Sequence, residues 1–469
     1  MLPQNEKASK RSCLVLSILL FVVLPFSVLI LGLVLWYGRE SSGRSQLKAR
    51  IASIIKQGYP VDDASVDRYY KDRTDAANTE AWLAVLNTMT SQDFTASTNG
   101  VAYLGMGTEA EVPILPEEEW NDEEVSLAFL EKWESLHAEV LRLSIDAKPV
   151  RFPIDFDSFA TILQQTQQMR QAARLLQLRG RVGLRNRDSA VVRDAIDGML
   201  GVSRVNAGEP ILVSQLVSIA IDGMALGLLK DSLKVDVLSE ADLQSLLPKV
   251  MATINIGKEW EMVVAGERAL ALPVFVDPKK ARTLGVTSFP GRSRDALFYL
   301  DLTQQILELP VNDLKEFKTK LKDVEAKMTE KAKANWITQF DSILTLQTTP
   351  AFSAVGDAFI RRALQHRMAA LAIGLRLYED RHGEFPNSLT DLSELPMDVK
   401  QLGPTQERSF GYRLEGSDAK LWGGSFQDAF AIPAEPPVIV AGEPDTTMQE
   451  FWSWDLPAKK KGSQLEPIK

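Results

Sequence analysis

A mainly α-helical fold behind one N-terminal transmembrane helix is what this 469-residue sequence predicts, on three observations. Cys13 to Tyr37 runs for 25 residues without a charge. At about 1.5 Å rise per residue it exceeds a hydrocarbon core of roughly 30 Å. Most of the chain beyond residue 37 consists of segments of helical length whose apolar residues recur every three or four positions. The breaks between them are rich in Gly, Asn and Pro, as in connections between neighbouring helices.

Each part of the span fits this reading. Pro25 and Gly32 interrupt it, and both are tolerated in membrane helices. Trp36 and Tyr37 stand at its exit, where amphipathic rings favour the interface. A cleaved signal peptide would have a shorter apolar region ending in a small-residue cleavage site. This one ends Leu35-Trp36-Tyr37-Gly38-Arg39, which predicts an uncleaved anchor. Lys7, Lys10 and Arg11 precede the span, and Arg39, Arg44, Lys48 and Arg50 follow it, so basic residues nearly balance across it. A short basic N-terminus before a long domain predicts a cytoplasmic N-terminus and an extracytoplasmic body.

Composition narrows the function classes. The chain is 45% hydrophobic and 25% charged, with net charge −9, an ordinary globular balance. Beyond residue 37 it carries 50 basic and 61 acidic side chains. A body that acidic is a poor generic binder of nucleic acid, whose affinity comes largely from phosphate neutralisation. Cys13 is the one cysteine, so the body can hold neither disulfides nor thiolate metal sites.

Along the chain the expected organisation is a basic segment (1–12), the anchor (13–37), a juxtamembrane helical region (38–150), a helical array (151–395), a small strand-containing segment (396–432) and a loosely ordered Pro-rich tail (433–469). Ser45–Lys56 continues the anchor helix until Gly58-Tyr59-Pro60 ends it. Asn78–Met89 reads as a helix capped by Asn78 or Thr79. Thr98–Pro116 reads as loop and Glu117–Leu143 as helix, with acidic residues suiting its N-terminal dipole. Arg151–Asp157 is extended. Asp157 or Ser158 opens a helix to about Arg179, with Phe159, Ile162, Leu163, Met169, Ala173 and Leu176 on one stripe. Asp188 or Ser189 caps the next, which aligns Val192, Ala195, Ile196, Met199 and Val202.

Ile211–Leu229 holds a single charge, Asp222. Asp near the middle of a span costs roughly 2.5–3.5 kcal/mol, so a buried core helix is expected, with Glu209-Pro210 at its start. In such a helix Gly223 and Gly227 would allow close approach of a neighbour. Ser239 and Asp242 have capping-box spacing. Asp313–Lys333 reads as a helix with a solvated Lys/Glu face. A long helix from Phe352 to Arg381 lines up Ala358, Phe359, Ala363, Met368, Leu371, Leu375 and Tyr378 and stops at Gly383. Asn387 or Ser388 caps a short helix through Leu395. Ser409–Leu414 and Lys420–Trp422 read as strands. The whole is an irregular array of antiparallel helical hairpins, α-solenoid-like, with a small hairpin near its C-terminus.

Several segments together resemble a recurring type of uncharacterised single-span protein from planctomycete bacteria. They are Gly58–Tyr70 with the Asn78 helix, RFPIDFDSF, GEPILVSQLVSIAIDGMALGLL (Gly208–Leu229) and RRALQHRMAALAIGLRLYEDRHGEFPNSLTDL (Arg361–Leu392). The resemblance covers roughly residues 50–395 and implies an architecture but no reaction. LYEDRHGEFPNSLTDL is also similar to the segment after the long helix of type II secretion pseudopilins. In those proteins it lies near a processed N-terminus, whose signal this chain lacks.

No motif for chemistry rises above background. Glu134 and His137 have the i, i+3 spacing of half a di-iron carboxylate site, but a second Glu-x-x-His is missing. His366 and His382 lie a helix length apart. Phosphate loops, GxGxxG after a strand and nucleophile elbows are absent. Glu259 with Glu261, and Asp155 with Asp157, read as solvated or capping carboxylates, and Glu267-Arg268 as a helix-packing ion pair. No catalytic, cofactor-binding or metal residue is therefore assigned. The expected function is a non-enzymatic envelope scaffold or interaction protein, with the membrane and an envelope protein or cell-wall component as partners, no nucleic acid and no cofactor. Two alternatives remain: an enzyme whose carboxylates and arginines converge only in the fold, and an accessory part of a secretion or pilus-like system.

Overall fold

The computed structural model describes residues 24–71, 76–105, 112–146, 148, 150–154, 159–277, 279–280, 292–333, 342–348, 352–425, 427–437 and 451–459. Residues 13–23 of the expected span, Asp155 and Asp157, and the expected Asp157 or Ser158 cap lie outside them. In chain order the helices are α1 (Leu24–Lys56), α2 (Asp63–Lys71), α3 (Ala76–Met89), α4 (Gln92–Ser97), α5 (Glu123–Lys132), α6 (Glu134–Asp146), α7 (Phe159–Arg185), α8 (Ser189–Asn206), α9 (Leu212–Lys234), α10 (Glu240–Met251), α11 (Gly257–Val276), α12 (Arg292–Leu307), α13 (Leu314–Lys333), α14 (Ile343–Thr348) and α15 (Phe352–His382). Two 3-10 turns come next, Leu389–Asp391 and Val399–Leu402, and then strands β1 (Gly411–Glu415), β2 (Asp418–Ser425) and β3 (Phe451–Leu456).

The fold is mainly helical, as expected, with a small antiparallel sheet of order β1-β2-β3. α7, α8 and α9 stack in succession, each on its neighbour. α15 then returns to pack across α9, α10, α13, β2 and β3, closing the array with contacts that nearest-neighbour stacking alone would not make. One apolar cluster runs from Trp82 through α15 to Leu456. A smaller one, including Leu47, Ile54, Phe275 and Tyr299, joins α1 to α11 and α12.

Several boundaries follow the local signals. Asp188 accepts from Val191 N and caps α8. Ser239 and Asp242 form a capping box on α10. Gly383, at φ +80, stops α15; Phe385 then tucks beneath the Arg376 guanidinium. α9 is the expected core helix, with Ile221, Ala225, Leu228 and Leu229 fully buried.

Other expectations need correction. α3 begins at Ala76, so Asn78 is not its cap; the Asn78 side chain instead donates to Lys148 O at 3.0 Å. The Glu117–Leu143 helix starts only at Glu123 and breaks at Trp133, leaving Glu117–Glu119 outside it. α7 runs on to Arg185 because Gly180 and Gly183 serve packing rather than breaking. A Cβ on Gly180 would lie 2.4 Å from Leu228 Cδ2, and one on Gly183 2.6 Å from Val191 Cγ1. Pro210 lies before the Ile211 N-cap of α9 rather than inside the helix. Gly223 and Gly227 meet nothing within 4 Å and face outward with the exposed Val213 and Leu216. The segment after Ser388 makes one 3-10 turn, not a helix to Leu395. Part of the expected loose tail is strand β3, which pairs Trp454 with Leu421 because Trp452, Trp454 and Leu456 bury against the helices.

α1 is continuous over 33 residues, but its two halves have different surroundings. Phe26, Val28, Leu29, Ile30, Leu31, Val34, Leu35 and Tyr37 are 48–69% exposed. From Glu40 onward the helix is held by the body: Ser293 Oγ donates to Glu40 Oε1 at 2.7 Å, and Leu47 and Ile54 are buried.

Close approach sets a test of the packing. A Cβ on Gly201 would lie 1.9 Å from Ser144 O, a backbone atom that cannot rotate away. Gly201→Ala is expected to lower stability by about 1–3 kcal/mol. Gly223→Ala, with open space around it, is expected to raise stability by about 0.5–1 kcal/mol. Denaturant midpoints of the two variants check both signs.

Candidate functional site

The strongest convergence of charge among the described residues lies inside the helical body. α9 carries Ser214, Ser218 and Asp222 four residues apart, a polar row on an otherwise apolar helix. Ser203 Oγ and Asn206 Nδ2 of α8 meet that row, donating to Ser218 O at 3.1 Å and Ser214 O at 2.6 Å. α15 brings Arg362 and His366, also four apart, onto Asp222. Arg362 Nε lies 2.5 Å from Asp222 Oδ2, and Arg362 Nη1 2.5 Å from Glu259 Oε2 in the first turn of α11. His366 Nε2 lies 3.2 Å from Asp222 Oδ2, and His366 Nδ1 2.9 Å from Val250 O. Asp222, Arg362 and His366 are at most 2% exposed, while Glu259 sits at the rim.

Electrostatics explains why these groups can be buried. Burial alone would raise the Asp222 carboxyl. The Arg362 guanidinium and the His366 ring outweigh it and hold Asp222 well below the usual carboxylate range. Glu259 is pushed up, first by burial and also by Asp222, against the pull of Arg362. Arg362 is therefore the shared cation of two carboxylates, a geometry suited to its planar fork.

The arrangement does not assemble a nucleophile. Both ring nitrogens of His366 face oxygens, Val250 O and Asp222 Oδ2, and the Ser203 and Ser218 hydroxyls donate to Ser218 O and Ser214 O rather than to the ring. Two clefts of about 700 Å³ lie elsewhere, and neither is lined by Asp222, Glu259, Arg362 or His366. Among the described residues no group of three or more His, Cys, Asp or Glu side chains is placed to hold a metal ion.

The residues considered from sequence are dispersed. His137 is half-buried and lowered to about 4, by burial and then by Arg179, while Glu134 is exposed. His382 stacks on Tyr378 at 4.1 Å and lies 3.6 Å from Glu394. Glu261 accepts from the Tyr59 hydroxyl at 2.8 Å, whereas Glu259 joins Arg362, so this carboxylate pair is split between partners. Glu267 and Arg268 are not an ion pair. Glu267 accepts from Leu212 N at 2.8 Å, at the start of α9, and Arg268 donates to Gln304 at 3.1 Å. The Asp222 centre was missed as a unit. Its available signals were an Asp in an apolar helix and an Arg-x-x-x-His pair on the inner face of a long one.

Glu209, in the turn before α9, is buried with no ion pair among the described residues; Ser214 Oγ donates to it. Burial raises its carboxyl to about 7, against the smaller effect of that hydrogen bond. The chain matches no protein-family model, no curated protein and no solved structure.

These buried groups set two measurable outcomes. Arg362→Met leaves Asp222 buried with only His366 beside it, and is expected to cost about 3–5 kcal/mol. Much of that loss should be absent when the same change is made on an Asp222→Asn background, as a double-mutant cycle of unfolding energies would read. Glu209 is protonated in the fold up to about pH 7, against 4.5 as its ordinary value. Its contribution is full below pH 4.5 and is lost as pH rises through 7, with a slope of at most about 1.4 kcal/mol per pH unit. Glu209→Gln should remove this slope, so unfolding of both proteins across pH 4 to 8, a range chosen to bracket roughly both values, would show their difference.

Proposed function

We propose that this protein is a membrane-anchored, non-enzymatic interaction protein of the cell envelope, held by a single N-terminal span with its body outside the cytoplasm. The observation that carries the reading is the division of α1. The side chains of Phe26, Val28, Leu29, Ile30, Leu31, Val34, Leu35 and Tyr37 are exposed around the helix, and one turn later Glu40 is tied to Ser293. An apolar sleeve of this kind is suited to hydrocarbon rather than water. The short interval between sleeve and tie would keep the body against the membrane surface. The charge at the centre of the body supports binding over catalysis, because it is paired and enclosed. The stacked hairpins α7–α9 supply the extended helical faces on which such proteins bind partners. The same architecture is proposed for the planctomycete-type proteins it resembles.

The full chain is expected in the membrane fraction, resistant to alkaline carbonate. A chain starting at Arg39 keeps Glu40 and all it holds, and should be recovered folded and soluble. In intact cells with a permeabilised outer layer, added protease should degrade the body. Release of the full chain by carbonate would overturn the anchor, and protection of the body from protease would reverse the orientation. In-cell cross-linking of the full chain should capture protein partners.

A further inference from the structure

The two clefts of about 700 Å³ adjoin each other along α13. One is lined by Asn312, Asp313 and Leu314 on one side and by Lys400 to Gln406 on the other. The second continues with Lys315 to Asp323 facing Glu407, Arg408 and the turn at Gln427–Ala431. Their linings follow on from each other at Leu314–Lys315 and Gln406–Glu407, which sets them end to end as a groove between the first turns of α13 and the loop leading into the sheet. α13 is amphipathic. Phe317, Leu321 and Val324 are buried, while Lys315, Lys318 and Lys322 recur at helical spacing along the groove.

The groove is basic in a chain of net charge −9. Six basic side chains line it against four acidic ones, and one of the six, Lys318, is paired with Asp357 beyond the lining at 3.0 Å. Two of those acids are engaged by backbone. Asp313 accepts from Lys315 N and Glu316 N at 3.0 and 2.9 Å, and Asp428 from Phe430 N at 3.1 Å. Arg367 and Arg408 donate to the carbonyls of Gly403 and Phe430, which carry no formal charge to balance them. Lys315, Lys322 and Lys400 are exposed, and none makes an ion pair among the described residues. Between the cations stand exposed side-chain amides: Asn312, Gln401 and Gln406 in one cleft and Gln427 in the other. An amide offers both a donor and an acceptor. A peptide backbone needs both, whereas a phosphate polymer has only acceptors to offer.

We infer that this groove docks an acidic, extended polypeptide segment of a partner protein, its carboxylates on Lys315, Lys322 and Lys400 and its backbone on the amides. The inference rests on the reading of the protein as an interaction protein and names the surface and chemistry it would use. Complementary charge of this kind governs encounter and register, and it weakens as salt screens it.

The test uses the full chain in detergent and a fluorescent peptide of alternating glutamate and glycine, with binding read by anisotropy. Binding is expected at low salt, weakening as ionic strength rises from roughly 0.05 to 0.3 M. It should fall at least about tenfold in K315E/K322E/K400E and less in K315Q/K322Q/K400Q, with both variants melting like the parent. Reversal of three lysines outside the groove, K48E/K56E/K234E, should leave binding nearly unchanged. No binding at low salt, or equal loss in both reversal variants, would overturn the groove. Polyphosphate of matched charge binding more tightly than the peptide would overturn the polypeptide assignment. In cells, capture of the same protein partners by the parent and by K315E/K322E/K400E would sink the groove while leaving the interaction reading intact. Capture of none by the parent would overturn both.

Discussion

The pairing of Asp222 with Arg362 is the constraint on which the arrangement of the helices depends. A carboxylate in the middle of an apolar helix is tolerable inside a protein only where a cation and hydrogen bonds meet it. The cation comes from 140 residues further along the chain. α9 and α15 can therefore pack in few registers, because a slip of one turn would carry the Arg362 guanidinium away from Asp222. Glu259, on the second arm of the same guanidinium, ties α11 to that register as well. Pairs of this type add little net stability over an apolar substitute, and their best-attested contribution is to specify alignment.

Around that centre the chain is closed by smaller polar ties that act at a distance in sequence. Asp295 accepts from Leu344 N and Thr345 N at 2.7 and 3.0 Å, which caps α14 from α12. Arg376 donates to Leu233 O and Pro457 O, and Lys459 pairs with Asp380 at 2.6 Å, which locks the strand after the Pro-rich stretch onto α9 and α15. Glu40 and Ser293 do the same for α1. The Asp295 and Arg376 ties satisfy backbone groups at a helix end or a strand exit that would otherwise be buried without partners.

The inner and outer chemistries of this body are separate. At the Asp222 centre, charges are matched and enclosed. Outside, α13 lays a row of lysines along a groove in an otherwise acidic protein. An ion pair sealed within the core has no route to a ligand, whereas uncompensated cations beside amides at the surface are open to one. That contrast supports reading the protein through its surfaces.

Much was legible in the sequence because it depends on neighbours along the chain. The apolar stripes of α8 and α15, the Met169, Ala173 and Leu176 part of the α7 stripe, the caps at Asp188, Ser239 and Ser388 and the stop at Gly383 are set by residues within one or two turns, so spacing and residue type determine them. α9 could be read as a core helix from Asp222 alone, through the cost of that charge in lipid. The partner of Asp222 could not, since nothing local links it to Arg362. The same holds for β3, whose pairing with β2 is decided by the burial of Trp452 and Trp454, and for Gly201 and Gly266, whose lack of a side chain matters only where Ser144 O and Pro210 O approach. The sequence by itself determined helical periods, caps and a long apolar segment. Tertiary structure alone decided which charges meet and which face forms a groove, because those depend on distances between segments that local propensity does not encode.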